Sequence, residues 1–318
     1  MKPPVVLFVG EPMIELSVPE AEDTARLGVA GDVLNAAIYM RRALPPPARV
    51  ELVTALGRDR FSDRIETFAR AHGVGCDRVR RDPARGPGLY AIETDEAGER
   101  SFAYWRDASA ARRMFGADDA PDFSALDGAS HVFLSAITLA ILSPAIRATL
   151  LDRLQEMRAK GVTICFDSNY RPRLWESVEA AREAVARAWS ITDIGFPSID
   201  DETALFGGTE ADALRRLRGY GMSLCVLKRG AEGPRLLVPR QSGPEPVFDR
   251  AAHVVDTTGA GDAFDGTFLA AWLGWRGVNE ALRLAHEVAS SVVATPGAIL
   301  PGMAQDGVEA EGGLRGVG

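Results

Sequence analysis

The sequence predicts an α/β fold: a central, mostly parallel sheet with helices on both faces, and a small β-sheet lid outside it. Three observations carry that expectation. From about residue 130, short apolar runs alternate with helical segments, the pattern of a parallel sheet covered on both sides. Residues 88–106, GLYAIETDEAGERSFAYWR, read instead as a hairpin, two arms around the turn-forming Asp95-Glu96-Ala97-Gly98. Late in the chain an apolar run enters Asp256-Thr257-Thr258-Gly259-Ala260-Gly261-Asp262, and an amphipathic helix leaves it.

Val5–Val9 is a short apolar run closed by Gly10, as expected of a buried parallel strand. A polar, alternating stretch from Met13 to Ala30 follows and pairs with 88–106 in the small sheet. Helical spacing of apolar residues starts near Gly31/Asp32, runs through Met40, and is stopped by Pro45-Pro46-Pro47. A strand over Val50–Leu56 and a helix over Phe61–Ala71 come next. Strands over His131–Ser135, Val162–Asp167, Asp193–Pro197 and Leu224–Lys228 alternate with helices over Ser143–Lys160 and Ser177–Trp189 and a pair around Glu202–Phe206 and Glu210–Tyr220. Residues 234–255 read as short strands. Two helices, Gly259–Leu273 and Asn279–Ala294, close a domain spanning residues 1–301, with the lid drawn from about 12–30 and 86–106. Residues 302–318 carry six glycines and read as a frayed tail.

Composition excludes several classes. Apolar residues make up 46% and charged residues 25%, enough apolar surface to offset ordering entropy. The formal charge is −8, which disfavours nucleic acid as a partner, and no Lys/Arg cluster suits an anionic membrane. No apolar run reaches membrane-spanning length, and the N-terminal run is too short for a signal peptide, so a cytoplasmic protein is expected. Cys76, Cys165 and Cys225 form no C-x-x-C pair; the last two lie in apolar runs and read as core thiols. His72, His131, His253 and His286 show no metal-ligand spacing. His131 and His253 read as strand-entry residues.

The chemistry concentrates at residues 256–264. Gly259 and Gly261 permit close backbone approach and positive φ, and the helix start behind them offers unpaired N–H groups and a partial positive charge. That is an anion cradle, with Asp262 at its mouth as a candidate proton acceptor. Neither G-x-x-x-x-G-K-[ST] nor G-x-G-x-x-G is present.

The run DTTGAGDAF resembles the signature of the ribokinase-like, or PfkB, carbohydrate kinase family. Gly31-Asp32 with Asn35, residues 55–62 (ALGRDRFS) and residues 228–233 (KRGAEG) resemble further motifs of that family, in its order. A narrower resemblance, to the 2-keto-3-deoxygluconate kinase branch, rests on residues 10–16 (GEPMIEL), 88–94, 98–106, 139–144 (LAILSP) and 167–175 (DSNYRPRLW). It implies a ribokinase-like three-layer fold and ATP-dependent phosphorylation of the sugar acid's terminal hydroxyl. Another sugar kinase of the family, or a non-catalytic sugar-binding regulator, stays open.

The resemblance implies Asp262 as the base and the Gly259, Ala260 and Gly261 amides as the anion hole. A sugar acid carries a carboxylate, so its site needs cations. Arg106 and Arg171, each beside an aromatic, are the candidates, against stacking or a surface ion pair. Gly31, Asp32, Asn35 and Asn169 are placed at the sugar, with an N-cap role open for Asp32. Tyr90 and Tyr104 either cover the sugar or simply pack the hairpin. Ser198, Lys228, Gly230, Gly233 and Ser290 are placed on the nucleotide side, near which His286 either binds or packs. Two departures from the family stand out: Ala30-Gly31-Asp32 replaces Gly-Gly-Asp, and Ser198…Asp201 replaces the magnesium-linked N-x-x-E. Asp201 is then expected to act on Mg²⁺ through water, with Glu202 as the alternative. Asp256 either orders a monovalent-cation loop, with K⁺ as its ion, or caps a strand. Lids of this kind imply a homo-oligomer and water exclusion during transfer.

Overall fold

The computed structural model describes residues 3–18, 25–94, 100–238, 246–274 and 276–301. The expected turn at Asp95–Gly98 and the tail at 302–318 lie outside them. In chain order the elements are β1 (Val5–Val9), β2 (Met13–Val18), β3 (Arg26–Ala30), α1 (Asp32–Ala43), β4 (Arg49–Leu56), α2 (Arg60–Ala71), β5 (Gly75–Arg81), β6 (Gly88–Thr94) and β7 (Arg100–Trp105). Then come β8 (Gly116–Ala117), β9 (Ala120–Pro121), β10 (His131–Ser135), α3 (Ala136–Ile141), α4 (Pro144–Ala159), β11 (Thr163–Asp167), α5 (Val178–Ser190) and β12 (Ile194–Phe196). The chain continues through α6 (Ile199–Phe206), α7 (Glu210–Arg218), β13 (Leu224–Leu227), β14 (Arg235–Val238), α8 (Ala260–Leu273) and α9 (Val278–Val293).

The large sheet has the order β14-β13-β12-β11-β10-β1-β4-β5, parallel throughout except for the antiparallel β13–β14 edge. Its central strands are continuously apolar because both faces are covered. In β1, Leu7 and Val9 point into a core formed with α3–α7, while Val6 and Phe8 point into a second core formed with α1, α2, α8 and α9. The same alternation sends Ile164 and Phe166 one way and Cys165 the other. All three thiols are free and buried. Helix α1 crosses α8 at Gly266, where an added Cβ would fall 2.1 Å from the Ala36 carbonyl oxygen, so only glycine permits the approach.

The second sheet has the order β3-β2-β6-β7. Its β2–β3 and β6–β7 pairings are antiparallel, as expected, whereas the central β2–β6 pairing is parallel. Three further differences from expectation have physical reasons. Strand β5, GCDRVRR, was not expected; it is an edge strand, and its arginines satisfy an exposed border. Helix α3 was also unexpected; Ser135 starts it by accepting from the Thr138 N–H at 3.4 Å. Among the described residues of the expected 234–255 strand region, Arg235–Val238 is a strand. Residues 246–255 are irregular, with Val247 and Val254 facing solvent, so His253 enters no strand. Among the described residues no helix is long and apolar enough to cross a membrane.

Candidate active site

The carboxyl ends of β10, β11, β12 and β13, the start of α1, the start of α8 and one face of the small sheet enclose a single cleft of about 1540 Å³. Ligands bind at this end of open α/β sheets because the strand-to-helix connections there leave a crevice. Every expected site residue lines this cleft except Asp256, which lies just behind it.

Gly259 adopts φ +76° at the N-terminus of α8, and a Cβ there would fall 2.6 Å from the Ala298 Cβ. Glycine is therefore required on both conformational and steric grounds. The Ala260 N–H is turned to the Thr257 carbonyl at 3.3 Å, so the donors for an anion come chiefly from Gly261 and the first helical turn. Asp262 lies on that turn, half-buried. Its Oδ2 accepts from Asn35 Nδ2 at 2.9 Å. Burial, and then the charges of Asp32 and Asp167, raise its pKa to about 7 against the pull of Asn35 and Lys228. A carboxylate poised there can take a hydroxyl proton near neutrality.

Asn35 thus orients the base as well as lining the sugar end. Asp32 does not cap its helix: Gly31 is the N-cap, at φ +147°, where a Cβ would meet the Glu11 carbonyl oxygen at 2.6 Å. Asp32 is free to point into the cleft, where its Oδ2 accepts from Ser135 Oγ and from Asn169 Nδ2, the latter at 3.1 Å. Burial raises the Asp32 pKa, with Ser135 and Arg106 opposing.

Tyr90 and Tyr104 face each other across β6–β7, their rings stacked at 5.7 Å, on the side of the small sheet that looks into the cleft. Tyr90 is buried and donates its hydroxyl to Glu15; burial and that carboxylate push its pKa up. Arg106 is buried and pairs through Nε, at 2.9 Å, and Nη2 with Glu11, itself buried. Arg171 is 55% exposed, donates to the Tyr170 carbonyl at 2.8 Å, and lies 3.5 Å from Asp201. Neither guanidinium stacks on the neighbouring aromatic.

At the phosphate end, Ser198 N–H donates to Ser168 Oγ, which donates to Asp201 Oδ2, each at 2.9 Å. Burial raises the Asp201 pKa, and Asp167 adds to it. Glu202 does not reach the cleft. It is buried among Trp189 and Arg216, both bonded at 2.9 Å, because it is on the opposite side of α6. This removes the alternative Mg²⁺ role for Glu202. Among the described residues no group of three or more His, Cys, Asp or Glu is placed to hold a metal ion. Asp201 and the exposed Asp200 line the cleft beside Ser198, a sparse set that fits Mg²⁺ carried mainly by phosphates and water. Asp256 caps no strand; its oxygens accept from Thr258 N–H at 3.0 Å and Gly297 N–H at 2.8 Å, tying the two loops together.

Gly230, Gly233, Val254, Ala289, Ser290 and Val293, small or apolar, line the cleft as well and suit a base. His286 sits there with Nε2 2.7 Å from the Asp249 carbonyl oxygen, and Ser290 Oγ is 3.5 Å from that nitrogen.

Sequence reasoning missed Asp167, Asp265, Glu11 and Glu15. Lys228 Nζ lies 2.8 Å from Asp167 Oδ1 and 3.0 Å from Asp265 Oδ2, directly behind Asp262. Desolvation lowers the Lys228 pKa, but the two carboxylates outweigh it and the net direction is up. Asp265 was findable: it follows Asp262 by three positions, inside an otherwise apolar helix.

A base beside a helix N-terminus, an adjacent ammonium, and a cleft lined by both polar and small apolar residues define a phosphoryl-transfer enzyme acting on a hydroxylated small molecule. The chain belongs to the pfkB family of carbohydrate kinases, whose description matches residues 5–305. It is 41% identical to a 2-dehydro-3-deoxygluconokinase of Dickeya dadantii, over 93% of this chain and 96% of that one. It is 38% identical to a 2-dehydro-3-deoxygluconokinase of Escherichia coli K12, over 93% and 97%. The crystal structure of a PfkB protein from Polaromonas sp. JS666 superposes with a TM-score of 0.77 at 26% identity, over 92% of this chain and 96% of that one.

Proposed function

We propose that the protein is an ATP-dependent kinase of 2-dehydro-3-deoxygluconate (2-keto-3-deoxygluconate), phosphorylating its terminal hydroxyl. The observation that carries this reading is Asp262, a base with pKa about 7 at the mouth of the α8 anion cradle, in one cleft with Arg106 and Arg171. The curated relatives named above, similar over nearly their full length, support the choice of sugar acid.

In this reading Asp32, Asn169 and Tyr104 hold the sugar, and Arg106 and Arg171 meet its carboxylate. Asp262 accepts the terminal hydroxyl proton as the sugar oxygen bonds to the γ-phosphorus and the bond to the β-phosphate oxygen breaks, releasing ADP. The first-turn N–H groups of α8 bind the phosphoryl oxygens where charge builds up. Mg²⁺, when bound with ATP, supplies further neutralisation of the phosphates, and Asp201 would hold it through water. Asp256 would order the loop for a K⁺ ion if one is used, since it ties Thr258 to Gly297. The small sheet closes over the sugar end, and its exposed Phe102, Tyr104 and Trp105 support a homo-oligomer. We place the protein in the cytoplasm.

A neutral-sugar kinase is the second reading. It is favoured by the internal pairing of Arg106 with Glu11 and of Arg171 with Asp201. An ADP-release assay over a substrate panel decides. The sugar acid should exceed fructose and ribose by more than about tenfold in kcat/KM, and the reverse order would replace the first reading by the second.

A further inference from the structure

Of the 36 cationic side chains in the sequence only Lys2, Lys160 and Lys228 are lysines; the rest are arginine. Lys160 is exposed at the end of α4. Lys228 is the lysine at the heart of the cleft, so an ammonium stands there in a chain that otherwise uses guanidinium. The two groups differ in shape. An ammonium is compact and tetrahedral, with three donors, whereas a guanidinium is a planar fork.

The surroundings use that shape. Two of the three N–H vectors of Lys228 are taken by Asp167 Oδ1 at 2.8 Å and Asp265 Oδ2 at 3.0 Å. Lys228 also lines the cleft, and its Nζ lies 3.5 Å from where a Cβ on Gly261 would sit. The remaining N–H is therefore next to the α8 cradle, where the phosphoryl group must pass. Asp265 is fully buried, one helical turn behind Asp262, and its Oδ1 has no partner among the described residues. A buried carboxylate with an unpartnered oxygen is costly to keep unless it holds something in place.

We propose that Lys228 carries the charge of the phosphoryl group during its transfer, rather than anchoring the nucleotide as a whole, and that Asp265 is a positioning residue fixing that ammonium under the helix start. This rests on the kinase reading above. Lys228 gives and takes no atom: the hydroxyl proton goes to Asp262, the sugar oxygen gains phosphorus and ADP leaves. The ammonium hydrogen-bonds the oxygens in flight. Asp265 and Asp262 ride on the same helix, so the base and the cation keep a common frame.

The test compares Lys228→Met, Lys228→Arg and Asp265→Asn with the unsubstituted protein. It measures kcat, KM for the sugar acid, thermal melting, and calorimetric affinity for ATP and for ADP without sugar. Lys228→Met should lose about 100- to 1,000-fold in kcat with sugar KM little changed. It should also lose the preference for ATP over ADP, because only ATP carries the group that Lys228 holds. Lys228→Arg should fail to rescue. Asp265→Asn should reduce kcat and the ATP preference by about tenfold, which a purely structural role would not do. Retention of kcat within about threefold in Lys228→Met overturns the proposal, and so does equal weakening of ATP and ADP. Should Lys228→Met show no melting transition, the Lys228→Met/Asp265→Asn pair removes one of the two stranded carboxylate charges and is judged by the same criteria. If the unsubstituted protein releases no ADP with the sugar acid, the kinase reading of that substrate fails. The ATP-over-ADP comparison still decides the role of Lys228.

Discussion

Replacing Asp262 by Asn tests the centre of the mechanism, because it removes the base and changes little else. The amide keeps an oxygen to accept from Asn35, whose Nδ2 lies 2.9 Å from the present Oδ2. What disappears is a proton acceptor whose pKa the site raises from 3.8 to about 7. General-base catalysis is worth about 100- to 10,000-fold, so kcat should fall by that factor while the sugar acid still binds. The raised pKa also makes a statement about stability. Below pH 3.8 both folded and unfolded chains hold the proton. Between 3.8 and about 7 the folded chain keeps it while the unfolded chain releases it, so stability falls as pH rises through that window. At roughly 1.4 kcal/mol per tenfold, the ionised carboxylate costs the fold on the order of 4 kcal/mol above pH 8. Asp262→Asn should therefore melt higher than the unsubstituted protein at pH 8 and converge with it at pH 4. The assays are ADP release against pH and melting at the two pH values. The unsubstituted enzyme should lose kcat/KM below about pH 7. Turnover of Asp262→Asn within tenfold of the original, or a lower melting temperature at pH 8, would refute the assignment.

Other perturbations follow from the same geometry. Asp32→Asn removes a charge that raises the Asp262 pKa, so the acidic limb of the pH–rate profile should move to lower pH; an unmoved limb means that the two carboxylates do not communicate. Arg171→Met should raise KM for the sugar acid about 10- to 100-fold and leave a neutral sugar unaffected, because the exposed guanidinium serves no core contact. Gly259→Ala places a methyl 2.6 Å from the Ala298 Cβ at φ +76°. It should cost about 1–3 kcal/mol in denaturant unfolding and reduce kcat by disturbing the cradle. Chelating divalent ions should abolish ADP release but leave sugar binding by calorimetry intact, since the described residues offer no metal ligand set at the sugar end.

What could be read from the sequence was local. The continuous apolar runs of β1, β10, β11 and β13 announce buried strands, and the glycines at 259 and 261 announce a turn, where a side chain at 259 would be blocked. Strand β5 was hidden because an arginine-rich edge strand has no apolar period to detect. The role of Glu11 was hidden because its partner Arg106 lies 95 positions away and on the other sheet. Asp167 ends β11 and Lys228 follows β13, the strands that flank β12; only the sheet order makes them neighbours. Side chains at strand ends point where topology sends them, and a single sequence carries topology only through the family it resembles. The same limit explains Glu202 and Asp201. Adjacent on one helix, they point in different directions, one into the cleft and the other into a core pocket with Trp189.

The charge balance of the site follows from these placements. The protein has a formal charge of −8 and is asked to bind ATP and a sugar acid side by side. Its buried cations are matched, Arg106 by Glu11 and Lys228 by two carboxylates, and Arg171 lies beside Asp201, while Arg173, Arg229 and Arg250 also line the cleft. Asp32 and Asp262 add further negative charge. Attraction for phosphate then comes from the oriented N–H groups of α8, from the remaining N–H of Lys228 and from the metal that accompanies ATP, all acting at short range. The acidic surroundings have a use of their own. The charges of Asp32 and Asp167, added to burial, lift Asp262 from an ordinary carboxylate to a base near neutrality. A site rich in free cations would hold ATP more tightly and would pull that pKa back down, weakening the proton acceptor. Pairing Arg106 and Lys228 with carboxylates of their own keeps these buried cations from disabling the group that performs the reaction.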